Sequence, residues 1–169
     1  MSDTTATQRA GLEGLARKSI IAWAFFGGLV LSLVVAINVI SVIGGVVWKP
    51  FPGDFEMTEI GVAVAAFAFL PYCQMVGANV TADIFTSRAP DRLVAFFGVL
   101  ASLVALFFSL LLLWRMYLGM LDQKAYNYIT AILQFPHWVA YIPILVSLGL
   151  LAVAAVMTLL ENIKEIRKR

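Results

Sequence analysis

The sequence predicts an all-α integral membrane protein with four transmembrane helices. Three observations lead there. Charged residues make up 13% of the 169 residues and hydrophobic ones 62%, where an average soluble domain carries about 25% charge. Mean hydropathy is +0.92. Four uncharged runs, each long enough for the roughly 20 residues that a bilayer-spanning helix needs, are separated by short segments, and the charge lies in those segments and at the two ends of the chain. Expected crossings are 20–48, 56–82, 93–114 and 137–160, in a single membrane domain covering 1–169. Little chain is left over for a soluble catalytic domain. The formal net charge of +2 is too small to point to nucleic acid. The lone cysteine, Cys73, rules out an intrachain disulfide.

Met1 to Ser19 is polar, with Arg9, Arg17 and Lys18. It reads as a frayed tail, of which Leu12 to Lys18 can also form a short helix at the membrane surface. The run that follows is far longer than the 7–15-residue core of a signal peptide and has no small-x-small cleavage site, so it reads as a retained first helix.

Ile20 to Trp48 carries no charge. At about 1.5 Å per residue it spans roughly 44 Å, against a hydrocarbon core of about 30 Å, and is expected to tilt or project. Gly27, Leu31, Val34, Asn38, Ser41 and Gly45 fall in one narrow stripe. Small residues there permit close helix contact, and Asn38 can hydrogen-bond across it. Packing within the chain is the favoured reading over a partner contact.

Pro50, Pro52 and Gly53 make a turn into the second run, which begins with Glu56 and Glu59 and is uncharged from Ile60 to Ala82. At 100° per residue, Glu56, Glu59, Ala63, Ala66, Leu70, Gln74, Gly77 and Thr81 share one small and polar face. Val62, Phe69, Met75 and Val76 lie on a bulky apolar one. Pro71 removes a backbone donor and crowds the carbonyl of Phe67, so a kink is expected there.

Asp83 to Arg92 is a polar loop, and Pro90 stops helical continuation. Leu93 to Trp114 is apolar all round, apart from Ser102 and Ser109. Arg115 to Gln134, with Tyr117, Lys124, Tyr126 and Tyr128, reads as an interfacial loop containing some helix. Arg115 is expected to snorkel to the headgroups. Pro136 and Trp138 mark the start of the fourth run, and the chain ends in a basic segment.

Four crossings put both termini on one side. That side would hold Arg9, Arg17, Lys18, Arg88, Arg92, Lys164, Arg167, Lys168 and Arg169, nine of the 12 Lys and Arg; the other three are Lys49, Arg115 and Lys124. The positive-inside rule then makes both termini cytoplasmic, and Trp48, Trp114 and Trp138 fall at the outer interface, where such rings concentrate.

Several chemistries lack their residues. Haem between helices typically needs paired histidines, and His137 is the single one. Thiol redox chemistry needs cysteine pairs, and no Walker motif is present. No helix carries a mid-span charge of the kind transporters use for substrate or protons. No catalytic, cofactor-binding or metal-ligating residue is assigned, and no cofactor is expected. Gln74 and Asn79 read as packing hydrogen bonds. The residues describe an auxiliary or scaffold membrane subunit. Two alternatives remain, a membrane anchor for a redox enzyme and a small homo-oligomeric transporter.

The stretches GDFEMTEIGVAVAAFAFLPYCQ and GANVTADIFTSRAP, with the later LQFPHWVAY, resemble the small membrane subunit (DctQ type) of tripartite ATP-independent periplasmic (TRAP) transporters. At Ala78-Asn79 the chain departs from the many relatives that carry a basic residue or His just before the Val. The resemblance implies a non-catalytic subunit of the bacterial inner membrane, working in sodium-driven uptake of an organic acid. Its implied partners are a large membrane subunit, a periplasmic substrate-binding protein and membrane lipid. It places the subunit interface on Glu56, Glu59, Gln74, Gly77, Thr81, Asp83 and Arg88, while Glu56 and Glu59 read equally well as acids that cap the positive end of the second helix. Lys124, Tyr126 and Tyr128 are candidates for docking the periplasmic protein.

Overall fold

The computed structural model describes residues 3–77 and 91–168. These form four α-helices: α1 (Asp3–Val47), α2 (Asp54–Met75), α3 (Asp91–Ala125) and α4 (His137–Lys168). Among the described residues there is no strand, only one isolated antiparallel bridge, Ile129 to Pro136. All four helices are long and apolar enough to cross a membrane.

All four differ in extent from the sequence reading, and α4 runs past Leu160 to Lys168. Residues from Asp3 onward continue α1 rather than forming a tail. At 45 residues the helix is about 67 Å long, more than twice the hydrocarbon thickness. Helix α2 stops at Met75, short of Ala82. Val76 caps it, and Gly77 takes a left-handed φ of 67° while its N–H meets the carbonyl of Gln74 at 3.3 Å. Helix α3 passes Trp114 and runs on to Ala125, so Arg115 to Ala125 is helix and not loop. Its end is a Schellman turn: Asn127 N–H bonds the Lys124 carbonyl at 3.3 Å and Tyr128 N–H the Gln123 carbonyl at 3.2 Å. Asn127 takes the left-handed position at φ 49°, which Asn tolerates better than most residues. Pro71 lies buried inside α2, and the helix continues through it without a break.

The helices are neighbours in the order α1, α2, α4, α3. Helices α1 and α3 sit at the two ends of this series and share no substantial packing among the described residues. The arrangement is an open series rather than a closed bundle, and it leaves long apolar flanks uncovered.

Close approach sets the α1–α2 contact. A Cβ on Gly61 would collide with the Val34 side chain, and one on Gly27 would lie 2.8 Å from the Ala68 Cβ. The pairs Gly27 with Ala68, Val34 with Gly61 and Asn38 with Thr58 run in opposite chain directions, as an antiparallel pair requires. Asn38 Nδ2 donates to Thr58 Oγ1 at 2.7 Å and to its own helix at the Val34 carbonyl. Gly27, Val34, Asn38 and Ser41 of the expected stripe are therefore used inside the chain, whereas Leu31 and Gly45 are exposed.

Helix α4 is the hub. Val64 from α2 packs on Ile144 and the fully buried Leu148, and Leu112, Leu113 and Met116 of α3 close the cluster. Polar pairs fix the register. Trp23 Nε1 donates to Ser147 Oγ at 2.8 Å, Gln74 Nε2 to Thr158 Oγ1 at 3.1 Å, and Asn162 Nδ2 to Ser102 Oγ at 3.1 Å. Such bonds between apolar helices satisfy groups that lipid cannot.

Candidate subunit interface

Residues 48–53 and 126–136 lie at the same end of the molecule, here the loop end. A small polar network ties α1 to α2 there. Ser41, buried on α1, donates to an Asp54 carboxylate oxygen and accepts the Phe51 N–H at 3.2 Å. The other Asp54 oxygen receives the Phe55 N–H at 2.8 Å, and Thr58 Oγ1 donates to the Asp54 carbonyl at 2.7 Å. Asp54 thereby satisfies one donor at the start of α2, the Phe55 N–H, that the helix itself leaves orphaned. Sequence reasoning gave Asp54 no role. Its signal was present, an acid directly after Pro52-Gly53, where the positive end of a helix dipole favours one.

The second loop docks on that same helix start. Glu56 accepts the backbone N–H of Ile132 at 2.7 Å on one carboxylate oxygen and that of Leu133 at 2.9 Å on the other. Leu133 covers Gly53, where a Cβ would fall 2.6 Å from the leucine Cγ. Gly53 also holds φ 77°, so it is required both for space and for backbone conformation. Within the loop, Thr130 N–H bonds the Phe135 carbonyl at 3.0 Å, Thr130 Oγ1 accepts the Phe135 N–H at 2.9 Å, and His137 N–H bonds the Tyr128 carbonyl at 3.0 Å. Thr130 is buried, which makes the loop a built hairpin rather than a slack connection.

The residues assigned from sequence divide accordingly. Glu56 and Gln74 have their polar groups engaged within the chain, and Gln74 is buried between α2 and α4. Gly77 turns the chain away directly after the Val76 cap of α2. Thr81, Asp83 and Arg88 lie outside the described residues. Glu59 is exposed. The buried side of α2 is Gly61, Val64, Ala65, Ala68, Pro71 and Gln74, shared between α1 and α4, and not the small polar face read from the helical projection. What remains uncovered on α2 is a stripe through Phe55, Glu59, Val62, Ala66 and Leu70.

Lys124, Tyr126 and Tyr128 come together at the loop end. Lys124 Nζ sits 5.2 Å from the centre of the Trp138 ring, a cation–π contact joining the end of α3 to the first turn of α4. The Tyr126 and Tyr128 rings lie 5.9 Å apart, and all three residues are exposed. At the opposite end Lys164 meets Glu13 at 3.9 Å, an exposed pair of little energetic weight.

A family model described as "Tripartite ATP-independent periplasmic transporters, DctQ component" matches residues 31–165. The chain belongs to the DctQ family. No curated protein and no solved structure matches it. The DctQ match covers all of α2 and α3 and most of α4, with α1 from Leu31 to its end, so all four helices of the open series take part in the match. This DctQ chain is thus the small membrane component of a TRAP transporter, a multi-pass protein whose described residues form α-helices joined by short connections.

Proposed function

We propose that this DctQ protein is a non-catalytic scaffold for the large membrane subunit of a TRAP-type secondary transporter. In this reading the complex takes up an organic acid, delivered by a periplasmic binding protein and driven by a sodium gradient. The family match over residues 31–165 carries the proposal.

The open series of helices supports a scaffold role on physical grounds. A closed bundle would bury its apolar stripes against itself. Here α1 and α3 each have one principal neighbour, so broad apolar flanks are left for lipid and for another membrane protein. Set beside the fixed part of a large subunit, such a body widens its footprint in the bilayer and steadies it while another part moves. Helix α2 supplies the contact stripe. The loop end faces the periplasm, with both termini in the cytoplasm, an orientation supported by the distribution of Lys and Arg. Lys124, Tyr126 and Tyr128 then form the surface offered to the periplasmic binding protein.

Purification in mild detergent from the native membrane, followed by mass spectrometry, tests the proposal. A stoichiometric large polytopic partner is expected, with sodium-dependent uptake on reconstitution of all three components and none from this chain alone. Recovery of a haem protein or an oxidoreductase in place of that partner would overturn it.

A further inference from the structure

Helix α2 carries five side chains able to form strong hydrogen bonds ahead of its midpoint or in its buried face: Asp54, Glu56, Thr58, Glu59 and Gln74. Four are bonded within the chain, to Ser41 and the Phe55 N–H, to the loop amides, to Asn38 and to Thr158 respectively. Glu59 alone has no hydrogen bond or ion pair among the described residues, and it is exposed.

Its depth makes this consequential. Thr58 is level with Asn38 of α1 through their hydrogen bond. From Asn38, α1 continues without a charge for nine more residues to Val47, about 14 Å further toward the loop end. Val39, Ile40, Val42, Ile43 and Val46 are exposed along that length. Glu59 therefore lies beside, and not beyond, the apolar belt that α1 defines. Its stripe neighbours Phe55, Val62 and Leu70 are apolar and exposed, and Ala66 leaves room for a helix to come close. A carboxylate at that level, facing only lipid, is costly. At the sixth position of the helix it is also past the first turn, where the dipole stabilises acids.

We propose that Glu59 is an ionic anchor, pairing with a lysine or arginine on a transmembrane helix of the large subunit that lies along Phe55, Val62, Ala66 and Leu70. This rests on the scaffold reading above and specifies its contact. The partner helix is cationic at this one level and apolar for the roughly three turns that follow.

The test uses the chain co-expressed with its large subunit, reading the amount of large subunit captured per chain. Glu59→Gln is expected to lower capture about fivefold, and Glu59→Arg by at least tenfold, as expected when one partner of a desolvated charge pair is removed or inverted. A Lys→Glu or Arg→Glu change on the large subunit at the matching level is expected to restore capture by Glu59→Arg, which a misfolded variant would not allow. Undiminished capture by Glu59→Arg overturns the anchor, leaving Glu59 to headgroups or water, while the scaffold reading stands. Loss that no such swap restores also overturns it. Failure of the unaltered chain to capture a large subunit removes the scaffold reading and the anchor together.

Discussion

Glu56 holds the backbone of Leu133: its carboxylate accepts the leucine N–H at 2.9 Å, while the leucine side chain packs over Gly53, three residues before the glutamate. The two residues are 77 positions apart in the chain. One contact thus joins the start of α2 to the hairpin between α3 and α4, and fixes the loop end as a single surface.

Glu56→Ala is expected to free the hairpin without unfolding the helices. Amide exchange at Ile132 and Leu133 should accelerate by roughly an order of magnitude, while exchange in the middle of α4 stays unchanged. Glu56→Gln, which keeps one acceptor oxygen, should show a smaller effect.

Gly61→Leu drives a side chain into Val34, and α1 has to move away from α2. Overpacking of this kind costs about 1–3 kcal/mol, to be read as a lowered unfolding midpoint in detergent. Gly14 is the control, because a Cβ placed there would meet nothing within 4 Å. Gly14→Leu should leave the midpoint where it is.

Gln74 and Thr158 should couple weakly but measurably. A cycle of Gln74→Leu, Thr158→Val and the double variant is expected to give about 0.6 kcal/mol of interaction, within a ceiling of about 1.7 kcal/mol typical of hydrogen bonds between membrane helices. Zero coupling would show that the bond adds nothing to the α2–α4 contact.

Sidedness can be read with thiol labelling. In a Cys73→Ser background, Tyr126→Cys should react with a membrane-impermeant maleimide added to intact cells or spheroplasts, and Leu15→Cys only after the membrane is opened. The reverse pattern would invert the orientation given by the Lys and Arg distribution.

Where sequence reading succeeded, the signal was local. A run with no charge reports its own need for an apolar surrounding, whatever its neighbours are. The Asn38 and Ser41 stripe was legible because helical periodicity is fixed. Helix ends were less so: Gly77 looked like a small packing residue, and only its left-handed backbone shows that it turns the chain away directly after the Val76 cap of α2. Arg115 looked like a boundary, yet an exposed arginine is compatible with helix on both sides, and α3 runs on past it to Ala125.

By itself the sequence determined the fold class, the four apolar helices and the family resemblance, because each depends on composition or on residues close together in the chain. Only the tertiary structure decided which polar groups are consumed within the chain. Glu56 and Glu59 are three residues apart, of one chemical type and on neighbouring positions of one helix. One meets a hairpin that arrives from 76 residues away, and the other forms no hydrogen bond or ion pair with a described residue. Long-range packing sets that difference, and nothing local in the sequence encodes it.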